Sequence, residues 1–110
     1  MKCDRLAKYI RCMFHAVLPL DPALGQRLMR QAVQVARDSQ KTPHAFPPEE
    51  LEWLVTVSFN EAVDAYNVRQ DDECNRWADL AMNLAHYADD DGVLQRKLQE
   101  NRMKLKFDLP

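Results

Sequence analysis

The sequence predicts an all-α fold, a stack of helical hairpins made of about five helices. Three observations carry that expectation. Apolar residues recur at the i, i+3, i+4, i+7 spacing of a helix face in segment after segment. Only two glycines occur, Gly25 and Gly92, too few for a tight-turned all-β fold or a phosphate-cradling loop. Prolines and acidic runs fall where helices must begin or end. At 110 residues, 46% hydrophobic and 29% charged, the chain holds one domain with one core.

In the first segment Cys3, Leu6, Ala7, Ile10, Met13, Phe14 and Val17 form one stripe, with Asp4, Arg5, Lys8, Arg11 and His15 opposite. Pro19 ends this helix, because its ring clashes with the preceding turn and biases its neighbour out of the α region. Asp21-Pro22 starts the second: Asp caps free N–H groups, and Pro at the first helical position loses no hydrogen bond. Leu24, Leu28, Ala32, Val35 and Ala36 are its stripe, weakened slightly by Gly25 in the first turn. Residues 40–48 hold Pro43, Pro47 and Pro48 without a period and read as the one long connection. The basic helical hairpin 1–39 precedes it.

Pro47-Pro48-Glu49-Glu50 opens the third helix, its acids facing the positive end of the helix dipole. Leu51, Leu54, Val55, Phe59, Ala62, Val63 and Tyr66 form its main stripe, and Trp53, Val57 and Asn60 a second one to the side. Asp71-Asp72-Glu73 starts the fourth helix, with Cys74, Trp77, Ala78, Ala81 and Ala85 on one face and Leu80, Leu84 and Tyr87 on another. A helix apolar on two sides packs between two neighbours. Asp89-Asp90-Asp91-Gly92 breaks the chain, and Val93, Leu94, Leu98 and Leu105 mark a terminal helix within 91–107, ending near Phe107.

Charge is segregated along the chain. Residues 1–45 carry eight Lys/Arg and three Asp/Glu, residues 46–94 two and twelve, and residues 95–110 five and two. With a pI of about 5.9 these blocks read as solvated faces of neighbouring helices that attract one another. No run of about 18 uncharged apolar residues occurs, so no membrane span is expected. Charges interrupt residues 1–20, leaving no signal-peptide core, and the three cysteines are expected to be free thiols in a reducing compartment.

The residues offer little chemistry. Cys3 and Cys12 are too far apart for a zinc knuckle, and His15, His44 and His86 lie in three separate segments. The contiguous Asp89–Asp91 acids lack the alternation of an EF-hand loop, and Arg96 and Lys97 follow where a bidentate Glu is needed. No Ser or Cys pairs with a His at a nucleophile's motif spacing. Glu61 and Asp64, one turn apart, read as a solvated face. The expectation is a protein without catalytic residues, cofactor or metal. Arg96, Lys97, Arg102, Lys104 and Lys106 could touch phosphate, but no helix-turn-helix precedes them and stacking aromatics are absent apart from Phe107, so direct nucleic-acid binding is disfavoured.

Two features rise above this background. Phe59, Ala62, Val63 and Tyr66, then Cys74, Ala78 and Ala81, follow the order of large and small residues in a tetratricopeptide repeat (TPR), with Val63 where the repeat carries glycine. Small residues there let two helices approach while aromatics fill the gaps. Residues 49–88 thus read as a TPR-like hairpin, and the whole chain as a solenoid end. The second feature is Asn60, an unfavourable residue in mid-helix beside Trp53 and Val57. Buried, its amide must be satisfied within the fold; exposed, it is a polar anchor in an interface.

The run Leu51-Glu52-Trp53-Leu54, then Ser58-Phe59-Asn60-Glu61-Ala62-Val63-Asp64-Ala65-Tyr66, then Cys74-Asn75-Arg76-Trp77-Ala78, resembles the C-terminal region of a fungal meiosis-specific TPR scaffold family. These are the Zip-four/Spo-twenty-two sporulation proteins of the ZMM crossover group, with the pattern E-W-L-A, A-F-N-x-A-V-D-x-Y, C-x-x-W-A. Cys3, Arg11-Cys12 and the proline-bearing link also fit the pattern. Val55-Thr56-Val57-Ser58, bulkier than the family's small residues, and a degenerate last helix depart from it. The resemblance implies a superhelical scaffold on meiotic chromosomes in the nucleus that assembles synapsis-initiation complexes and promotes crossovers. It implies docking of synaptonemal-complex central components, or other meiotic scaffold subunits, at Phe59-Asn60. With Trp53, Val57 and Asp64 these are the expected partner-binding residues. The chain would then be the end of a longer protein or a truncated relative. The alternative is a TPR-like adaptor unrelated to meiosis.

Overall fold

Five helices form among the described residues (3–40, 46–88 and 92–105) of this computed structural model: α1 (Cys3–Val17), α2 (Pro22–Ser39), α3 (Pro48–Asn67), α4 (Asp71–Ala85) and α5 (Val93–Met103). No strand occurs among those residues. The side chain of Cys3, with Pro43, His44, Asp89–Asp91, Lys106 and Phe107, lies outside the described residues.

The helix ends follow the sequence signals. Asp21 caps α2, its carboxylate accepting from the Leu24 N–H at 3.2 Å, with Pro22 in the first turn. Pro48 opens α3 with Glu49 and Glu50 behind it, and Asp71–Glu73 fill the first turn of α4. Between these two helices the chain turns in three residues. Gln70 N–H donates to the Ala65 carbonyl at 2.8 Å and Arg69 N–H to the Tyr66 carbonyl at 3.0 Å, the bonds of a Schellman cap. Arg69 stands at φ 62 where such a cap favours glycine, a conformation that costs a residue with a Cβ about 1 kcal/mol. Gly92, at φ 79, opens α5 in the same left-handed region. The terminal helix is shorter than expected: the chain turns at Lys104 and Leu105 after α5 ends at Met103.

Two hairpins stack. The closest packing is α3 against α4, α1 pairs with α2, α1 lies on α3, α2 lies on α4, and α5 adds to α4. Ala62, Ala65, Ala78, Ala81 and Ala85 are buried, and their small side chains allow the α3–α4 approach that the alternation of large and small residues predicted. Gly25 does the same for α2: a Cβ there would lie 3.1 Å from Leu18 Cδ1 and 3.3 Å from the Trp77 ring. The attraction expected between basic and acidic blocks takes form in the Arg11–Glu50 ion pair, which ties α1 to the first turn of α3. Gln26 donates to Glu73 at 2.9 Å between α2 and α4. Ser39 closes the connection, donating to the Ala36 carbonyl at 2.9 Å and accepting from the Phe46 N–H at 3.2 Å.

Of the predicted apolar positions, Met13 on α1 and Val93 on α5 point outward. Met13 is 41% exposed, because seven apolar positions on α1 span more of the helix circumference than its neighbours cover.

Candidate protein-interaction surface

Trp53, Val57, Asn60 and Asp64 stand four, three and four residues apart, so they form one line along α3. Asn60 and Asp64 are exposed, whereas Trp53 and Val57 are half-buried against the core. The Asn60 carboxamide makes no hydrogen bond to any described residue. Of the two roles open to it, the buried and internally satisfied one is excluded. Phe59 is 8% exposed and belongs to the core, since adjacent helical residues are turned by about 100°. The expected docking pair is therefore divided: Phe59 fixes the helix, and Asn60 alone faces solvent.

The two ends of the line differ electrically. At the Trp53 end, Phe14 meets the indole edge-to-face with ring centres 6.2 Å apart, and the His15 ring lies at 6.0 Å. The Arg11 guanidinium sits 5.8 Å from the indole centre while pairing with Glu50. At the other end Glu61 is half-buried beside Asp64, and burial first, then the Asp64 charge, pushes its carboxyl above the ordinary glutamate range. Arg11 and His15 were not among the expected site residues. Periodicity within one helix carries no signal for which neighbouring side chains will cover a given residue, and both come from α1.

The remaining reactive groups are held quietly. Cys74 is fully buried, and burial pushes its thiol up, the reverse of activation. Cys12 is an exposed free thiol. Ser58 is fully buried with a hydroxyl that meets no partner. Among the described residues no three His, Cys, Asp or Glu side chains cluster as a metal site would require, and no helix is long and apolar enough to cross a membrane. Of the basic end, Arg102 is engaged internally, donating to Asp79 at 2.8 Å and Asn75 at 3.2 Å on α4. Lys97 and Lys104 are exposed. No protein-family model, curated protein or solved structure matches the chain.

Proposed function

We propose that this chain is a non-catalytic protein-interaction end-piece of a helical-repeat scaffold, and that it docks its partner along the Trp53–Val57–Asn60–Asp64 line of α3. The observation that carries the reading is Asn60: a helix-unfavourable residue, exposed and unused by the fold, at the middle of a line with two half-buried apolar neighbours. Interface centres combine packed apolar and aromatic contact with a few specific polar anchors screened from water, and this line offers both. The sequence resemblance supplies the partner class, synaptonemal-complex central components or other meiotic scaffold subunits, and the setting, meiotic chromosomes in the nucleus.

The test replaces Asn60 by Ala and measures thermal unfolding beside capture of purified synaptonemal-complex central components. Helix propensity alone predicts a variant up to about 0.7 kcal/mol more stable. Binding is expected to fall at least about tenfold, as loss of an interface anchor does. A stable variant that binds as well as the parent removes Asn60 from the interface. A parent chain that captures none of these components removes the meiotic partner and leaves an adaptor for another protein.

A further inference from the structure

A second surface, on α1, points away from every other helix. Tyr9, 67% exposed, and Met13, 41% exposed, join Cys12 and Ala16 in flooring a shallow hollow of about 540 Å³. Arg5 and Lys8 form its rim at the N-terminal side. Both are exposed, and neither pairs with an acidic side chain among the described residues. Among the described residues no acid lines the hollow. This is the reverse of the usual outer face of a surface helix, where polar residues fill the side opposite the core. Arg11 and His15 turn instead toward Trp53 on α3, so the surface is separate from the line proposed above.

We propose that this face of α1 docks an acidic amphipathic helix of a partner protein. The lining residues run from position 5 to position 16, three turns of one helix, so the complementary shape is a second helix laid in its grooves. Apolar side chains of that helix cover Tyr9 and Met13, and Asp or Glu on its flank meets Arg5 and Lys8, cations without an acidic partner among the described residues. A second copy of this chain fits less well. The other open end, α5, carries Arg96, Lys97 and Lys104 against one exposed acid, Glu100, so end-to-end stacking sets mostly cations against cations.

The experiment uses the whole chain and two labelled synthetic helices of about 18 residues, five turns each, with leucine on one face. One carries glutamates on its flanks and the other lysines. Fluorescence anisotropy at low and high salt is expected to show the glutamate helix binding about tenfold tighter, with the preference fading as salt rises. The double variant Arg5→Glu/Lys8→Glu inverts the preference, and Tyr9→Ser/Met13→Ser weakens both helices while the chain stays folded, as its melting curve checks, because Tyr9 is exposed and Met13 lies outside the buried core. Asn60→Ala leaves the binding intact. Equal binding of the two helices, binding of neither, or loss on Asn60→Ala overturns the proposal. So does a dimer in sedimentation that the Tyr9→Ser/Met13→Ser variant abolishes, since a second copy then covers the face.

Discussion

Ser58 lies at 0% exposure in the middle of α3, its hydroxyl without a hydrogen-bond partner. A buried hydroxyl without a partner carries its desolvation cost uncompensated. Ser58→Ala removes that cost and adds helix propensity, and is expected to stabilise by about 1 kcal/mol, read as a higher denaturant midpoint at unchanged slope. The sequence marks Ser58 only as a departure from a family's pattern. Gly25 is a similar case. Its cost to helix α2 is legible from propensity, but the reason for it is the close approach of Leu18 and of the Trp77 ring on α4, the latter some fifty residues away. Asn60 was legible as an anomaly, and its exposure needed the packing of α3 to be known.

Helix α3 is apolar on two sides, and its outer edge carries a pair of like charges. Burial raises the Glu61 carboxyl in the folded state, and Asp64 adds to the shift. The folded state therefore holds this proton more firmly than the unfolded one. Its contribution to stability is full below the ordinary glutamate pKa and is lost as pH rises through the folded value. Glu61→Gln is expected to gain about 0.2–0.5 kcal/mol at pH 7, the scale of a like-charge pair one turn apart. The difference from the parent closes at about pH 3.5, below the ordinary glutamate pKa, where Glu61 is neutral in both states. Urea midpoints at the two pH values measure it. At this scale the starts of α2, α3 and α4 were legible, because Asp21-Pro22, Pro47-Pro48 and Asp71–Glu73 act locally. The end of the terminal helix was not, since Leu105 continues the apolar period after the helix has stopped.

The molecule measures 48 × 33 × 18 Å, a slab about two helices thick in which like-numbered helices of the two hairpins lie on each other. Phe14 sits at the seam of the two hairpins, fully buried and edge-on to both Trp53 at 6.2 Å and Trp77 at 6.1 Å. Phe14→Ala is expected to cost about 3–5 kcal/mol, enough to unfold a marginal domain, measured by chemical denaturation. The all-α class was legible because period and punctuation are local properties. Which helix covers which was not, and the outward turn of Met13 shows why: a stripe records how much of a helix is apolar, whereas its neighbours decide how much is covered.

The placement of the two tryptophans also gives the protein a built-in optical gauge. Both indoles belong to the second hairpin and both pack against residues of the first, Arg11, Phe14 and His15 around one and Phe14 and Gly25 around the other. Intrinsic emission therefore reports the seam between hairpins more directly than it reports helix content, so comparing it with far-ultraviolet ellipticity separates docking of the halves from formation of their helices.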